Sequence, residues 1–397
     1  MGGAMASIHP ALGAVLIAVI LGLGAGRLDA TSYDWPAQTT LAGDRVQLPA
    51  EFSGANVFVT VTINHRGRFR LLLDTGTSPL TLSPVAAERC GAHLVPGHPE
   101  QFSGVGGQVQ VTRIALDRVE AGGLLLQGVG AFQFDARQWA RMGFSELAAG
   151  DGILGIEAFH GVVLEIDYPR RAVFVTRAGA AHYPADRAIE SRGSPPVVSL
   201  QVGDRALPVV VDTGYNGVLG VQTLDGLSLL SPAVREDGFG TQGLGGQTPR
   251  AEMGQLSDVA VVGPYRWHAM PVIGGGLGDR IGWGAFGQWR VVIDQPRQRI
   301  AFLDGFSAME FPPDALSILG FYAETAGLTL RIVDVTPGGH FDQWGLRAGD
   351  VVNRVDGAAA SRWAYGYEPK RVLRQPTLVF DLLRAGRPLS LVVHPAR

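Results

Sequence analysis

Two aspartates stand in the same setting. Leu71-Leu-Leu-Asp74-Thr-Gly76 and Val209-Val-Val-Asp212-Thr-Gly214 each run an apolar segment into Asp-Thr-Gly. A strand that ends this way delivers a carboxylate to a tight turn at the edge of a core. One such triplet is an ordinary turn or cap. Two copies on similar units, packed about a pseudo-twofold axis, place the carboxyl groups face to face. Two carboxylates within about 3 Å cannot both ionise cheaply, so they hold one proton between them and titrate as a unit. The ionised member takes a proton from a bridging water, and the neutral member donates a hydrogen bond to the carbonyl under attack. This chemistry uses no metal, no cofactor and no covalent intermediate, and none is expected. Gly76 and Gly214 let backbone N–H groups approach the carboxylates. Thr75 and Thr213 are placed to hydrogen-bond across the interface and hold the pair in plane.

The elements that position these residues are written twice. GVGGQ at 104–108 recurs as GLGGQ at 243–247, and ILGIEAFHGVVLEIDYPRRAVF at 153–174 recurs as RIGWGAFGQWRVVIDQPRQRIAF at 280–302. The order is the same in both copies, with 33 residues from Asp74 to Gly107 and 34 from Asp212 to Gly246. An internal repeat of this kind predicts two homologous lobes, at 50–180 and 190–307, with the Pro- and charge-bearing stretch 178–196 between them. Each lobe reads as β. Val57–Ile63 has β-branched and aromatic residues at strand density, Asn64–Gly67 is a turn, and Phe69–Leu73 leads into the first triplet. Pro196–Val202, Gly203-Asp204 and Pro208–Val211 repeat that hairpin before the second triplet. The glycine-rich segments Gly104-Val105-Gly106-Gly107 and Gly243-Leu244-Gly245-Gly246 are expected as hairpin tips that fold over an extended substrate.

Composition narrows the classes further. The chain has 397 residues, 55 of them glycine, and a net charge of −3, which gives no reason to expect nucleic acid as a partner. Cys90 is the single cysteine, so an internal disulfide and a multi-cysteine metal site are both excluded. Lys370 is the sole lysine and follows Pro369, so no P-loop exists, and neither HExxH nor GxSxG occurs. Residues 11–26 form an uncharged apolar run, short for a membrane span and suited to the core of a signal peptide. Residues 1–30 are therefore expected to be a signal peptide or an uncleaved N-terminal membrane anchor, with the protein exported to the periplasm or the outer side of the membrane.

The paired Asp-Thr-Gly triplets resemble the signature of aspartic peptidases, and Ile153-Leu154-Gly155 is similar to that family's hydrophobic-hydrophobic-Gly element. The glycine-rich tips resemble the flaps of retroviral peptidases more than the tyrosine-bearing flap of pepsin. The chain thus resembles a bacterial, single-chain, retropepsin-like enzyme over residues 50–307. The resemblance implies two acid-protease β-barrel lobes with an active site in the cleft between them and a polypeptide substrate. It also implies that the position of Ser78 carries a hydroxyl bonded near the catalytic carboxylate. The second copy departs from the pattern. Tyr215-Asn216 stands where Thr77-Ser78 stands in the first, and Arg280-Ile281-Gly282 replaces the hydrophobic-hydrophobic-Gly element. Asn216 retains the capacity for the Ser78 bond.

From residue 314 the pattern changes. Leu319-Gly320-Phe321 and the stretch Gly345–Gly357 resemble the carboxylate-binding loop and the most recognisable segment of a PDZ domain of the bacterial envelope type. The resemblance covers 314–397 and implies a small α+β domain. It also implies a C-terminal peptide ligand bound as an added strand, its carboxylate on the loop. The chain is therefore expected to be mainly β, with two lobes followed by this third unit. The function expected is that of an aspartic endopeptidase with a recruiting domain. The rival reading is a catalytically inactive protein whose cleft and C-terminal domain only hold peptides.

Overall fold

The structure is a computed structural model that describes residues 36–53, 55–97, 99–104, 107–134, 150–237, 242–243, 246–247, 250–275, 278–311, 321–326, 328–335, 340–360 and 376–394. The expected leader at 1–30 and the tip and loop residues Val105, Gly106, Leu244, Gly245, Leu319 and Gly320 lie outside the described residues.

The chain is mainly β, and the repeat in its sequence is a repeat of topology. In the first sheet the strands Leu124–Phe134, Leu80–Leu82, Gly152–Gly155, Arg66–Asp74, Asn56–Ile63 and Gly107–Ala121 lie side by side in that order. In another sheet Pro271–Gly274, Leu219–Val221, Arg280–Ile281, Arg205–Val211, Val197–Val202 and Ala260–Val262 take the same order. The sense of pairing also matches. Gly152–Gly155 runs parallel to the strand ending in Asp74, and Arg280–Ile281 runs parallel to the strand ending beside Asp212. The hairpin before the first triplet turns at Asn64 and His65, both with positive φ (51° and 58°), so the return strand begins at Arg66, earlier than the sequence suggested. Two consecutive left-handed residues match the twist of the flanking strands, which is why so short a connection suffices.

A six-stranded sheet joins the two halves. Its order is Ala188–Glu190, Arg299–Leu303, Arg290–Asp294, Val162–Asp167, Ala172–Arg177 and Arg45–Leu48. The two copies of the repeated segment meet antiparallel at its centre, where Leu164 faces Ile293 and Ile166 faces Val291. Alternation decides which side chains go where. Leu164, Ile166, Val291 and Ile293 enter one continuous core that also holds Leu73, Phe159, Val211 and Phe286. Val163, Val292, Ala301 and Leu303 pack on the opposite face against Ala181 and Tyr183. The strands beneath the two aspartates are thereby fixed to one another through a shared core.

Residues beyond 320 form a separate sheet, ordered Phe321–Ala326, Thr329–Val335, Val351–Val355, Leu378–Arg384 and Arg387–Val393. It has its own buried cluster, including Leu330, Phe341, Leu346, Phe380 and Leu382. Cys90, at the end of the helix Pro84–Cys90, is fully buried among apolar side chains.

Candidate active site

Asp74 ends the strand Arg66–Asp74 of the first sheet, Asp212 directly follows the strand Arg205–Val211 of the other, and each is turned back at once. The amide of Thr77 donates to the Asp74 carbonyl at 3.4 Å, and that of Tyr215 to the Asp212 carbonyl at 3.3 Å. Beneath them the two threonines interlock. The Thr75 amide donates to Thr213 Oγ1 at 3.0 Å, and the Thr213 amide donates to Thr75 Oγ1 at 3.0 Å. Each hydroxyl then donates onward across the pair, Thr75 to the Val211 carbonyl at 2.6 Å and Thr213 to the Leu73 carbonyl at 2.9 Å. Both threonines are fully buried, so every one of these polar groups has a partner where water cannot reach.

The glycines are required by space. A Cβ at Gly214 would lie 2.6 Å from Asp74 Cγ, and one at Gly76 would collide likewise with the Asp212 carboxyl group. The room left by those hydrogens lets each triplet approach the other's carboxylate. The Gly76 amide donates to Asp74 Oδ1 and the Gly214 amide to Asp212 Oδ1, both at 2.9 Å. Asp74 is pushed up from 3.8 to about 7, first by burial and then by the charge of Asp212. A carboxylic acid that keeps its proton to neutral pH beside an ionised partner is the state that general acid–base work on a water requires.

The outer oxygens of the pair are held differently. Asp74 Oδ2 accepts from Thr77 Oγ1 at 2.7 Å, and Asp212 Oδ2 accepts from Arg280 Nη1 at 2.9 Å. The resemblance had given Ser78 a hydrogen bond near the catalytic carboxylate. Ser78 is buried but donates to the Ser194 carbonyl at 2.9 Å, tying the first triplet to the segment between the lobes. Asn216 does not take over that bond to a carboxylate either. Its Oδ1 is buried without a hydrogen-bond partner. The hydroxyl that reaches the carboxylate comes one residue earlier, from Thr77, because the turn after Asp74 points that side chain back toward its own strand end.

The glycine-rich segments are both hairpins. Glu100–Gly104 pairs with Gly107–Ala121 so that Gly104 faces Gly107, and Gln242–Gly243 pairs with Gly246–Gln247 so that Gly243 faces Gly246. Phe321 opens the strand at one edge of the C-terminal sheet, paired with Val335 on its inner side.

Thr77 and Arg280 were missed as site residues. For Thr77 the sequence offers a hydroxyl three residues past the carboxylate, but Ser78 beside it offers another. In the sequence Arg280 reads only as erosion of an apolar element.

Residues 59–158 match the family model described as aspartyl protease. The match runs from the hairpin before Asp74 through the first glycine-rich segment to Ile153-Leu154-Gly155, so it covers the first of the two triplets. No curated protein matches the chain.

Proposed function

We propose that the protein is an aspartic endopeptidase that hydrolyses peptide bonds of extended polypeptides. The observation that carries the reading is the meeting of Asp74 and Asp212 over interlocked threonines, with one carboxyl group holding its proton to about pH 7. Water bound between the pair loses a proton to the ionised carboxylate as its oxygen attacks the scissile carbonyl carbon. The carbonyl oxygen takes the proton of the neutral carboxyl group, giving a gem-diol. Collapse breaks the C–N bond: the proton taken from water goes to the leaving nitrogen, a gem-diol hydroxyl returns its proton to the other carboxylate, and the dyad regains its starting state. The hairpins at Gly104–Gly107 and Gly243–Gly246 close over the substrate and exclude water. The unit at 314–397 binds free C-termini at the edge strand that opens at Phe321, and so recruits substrate or partners. The apolar run 11–26 carries the chain out of the cytoplasm, as a cleaved leader or a membrane anchor.

Comparing proteome digests by the full chain, by Asp74→Asn and by Asp212→Asn tests the reading. Each single substitution removes the required pairing of one acid with one carboxylate. Turnover falls on the order of 10⁴-fold or more, while the fold survives. Wild-type-like cleavage by either variant would sink the paired mechanism. A wild-type chain that retains peptides without cutting them would establish the inactive binder instead.

A further inference from the structure

The threonine grip and the glycine amides treat the two carboxylates alike, but their outer oxygens are held unalike. Asp74 Oδ2 has a neutral hydroxyl, Thr77, at 2.7 Å, whereas Asp212 Oδ2 has a guanidinium, Arg280, at 2.9 Å. Arg280 and Asp212 are 12% and 5% exposed, so the ion pair sits in the floor of the site rather than in solvent. A hydroxyl serves a carboxylate or a carboxylic acid equally well. A guanidinium is a fixed cation and favours only the ionised form. Arg280 pairs with Val210 in the strand register where the first copy places Ile153 beside Leu72. A cation has replaced an apolar residue next to one aspartate-bearing strand and not the other.

We infer that Arg280 is a positioning residue that assigns the dyad its roles, holding Asp212 as the ionised base for water and leaving the single proton on Asp74 for the substrate carbonyl. The inference rests on the peptidase reading for its mechanistic meaning, though the charge assignment itself does not. The surroundings agree. Asp74 is pushed up to about 7, with burial the larger cause and the Asp212 charge the next. The phenols that face the pair, Tyr168 and Tyr215, are buried and raised above the ordinary tyrosine value by burial, so neither competes as an anion. Tyr215 stands where Thr77 stands in the first copy, but its hydroxyl has no hydrogen-bond partner and rests against Gly217. The neighbouring Asp279 carboxylate accepts from the Gln222 amide at 2.9 Å. Arg280 is thus the cation that breaks the symmetry of the dyad.

Two reagents read the charges directly on the intact chain. An alkyl epoxide is opened by a carboxylate, whose oxygen bonds to the ring carbon while the freed alkoxide takes a proton from water. A diazo ester takes the proton of a carboxylic acid, loses nitrogen and forms the ester. Peptide mapping of the wild type should place the epoxide on Asp212 and the diazo ester on Asp74. In Arg280→Ile, which restores the residue of the first copy, the epoxide should distribute over both aspartates. On fluorescein-labelled casein, kcat of that variant should fall on the order of 10²-fold with KM little changed. The acid limb of kcat/KM, which belongs to the pair, should move up by about one pH unit. Arg280→Lys should restore the limb. A purely structural Arg280 would lower the melting temperature and leave both labelling and limb in place, which overturns the inference. So would equal or reversed labelling of the wild type, or a gain of activity in Arg280→Ile, which would make the arginine an obstruction. A wild type that cuts no protein but labels as expected would refute the peptidase reading and leave the charge assignment standing.

Discussion

A carboxyl group that keeps its proton to about pH 7, as Asp74 does beside Asp212, carries a cost. Its ordinary value is 3.8, and in the folded chain burial and the Asp212 charge raise it. The folded state therefore binds this proton more tightly than the unfolded state. The stability it contributes is complete below about 3.8, drains away as pH rises, and is gone above about 7. Asparagine cannot ionise, so Asp74→Asn escapes that loss. The variant should match the wild type in acid and become the more stable of the two through this window, by at least about 1 kcal/mol at the alkaline end. Glu157 is also raised by burial, to about 6, but it is present in both chains and cancels in the comparison. Thermal unfolding of both proteins as a function of pH measures the difference. A constant offset across the range would mean that the Asp74 carboxyl group is not protonated in the folded state. Stability surrendered in this way at the proposed catalytic group is a common companion of activity.

At the scale of elements, the site depends on the six-stranded sheet that fixes one half against the other. Its central hairpins each turn on a buried aspartate. Asp294 accepts from the Arg297 amide at 3.0 Å, from Arg297 Nη1 at 2.6 Å and from the Tyr183 hydroxyl at 2.8 Å. Asp167 plays the same part toward Arg170. Asp294→Ala leaves three donors without their acceptor, one of them the Tyr183 hydroxyl. It should cost about 2–4 kcal/mol in thermal or urea unfolding, with kcat per folded molecule little changed. Asp294→Asn should recover part of the loss. An equal fall in kcat well below the melting temperature would show that the sheet tunes the dyad rather than only supporting it. The paired turns were legible in the sequence because Asp167-Tyr-Pro and Asp294-Gln-Pro keep the same spacing from Phe159 and Phe286. The strands were legible for the same reason, apolar runs ending in identical triplets. What the sequence hid were contacts set by register and turn direction. Nothing local distinguishes Thr77 from Ser78 as the hydroxyl that reaches Asp74. Arg280 reads as a lost apolar residue until the parallel pairing with Val210 puts its head against Asp212.

At the scale of the whole molecule, two of the buried clusters among the described residues stand apart. The first spans both aspartate-bearing sheets and the sheet between them. The second lies wholly within residues 330–393. The last strand of the first body, Ala308–Glu310, adds parallel to Tyr265–His268, and Phe311 behind it is buried with its amide on the His268 carbonyl at 3.0 Å. Among the described residues the first body thus ends at Phe311. Removing 314–397 should leave the melting temperature of the remainder and the cleavage of short peptides nearly unchanged. Cleavage of whole proteins is a different matter if the C-terminal sheet captures their free ends at the strand that opens at Phe321. Tethered capture raises the local concentration of substrate at the cleft, and its loss should weaken kcat/KM on such proteins on the order of 10²-fold. A protein substrate with its C-terminus amidated should lose the same factor on the full-length chain and nothing on the truncated one, because the charge that the loop would bind is gone. Equal losses on peptide and protein, with a lowered melting temperature, would instead make residues 314–397 a brace for the second aspartate-bearing sheet.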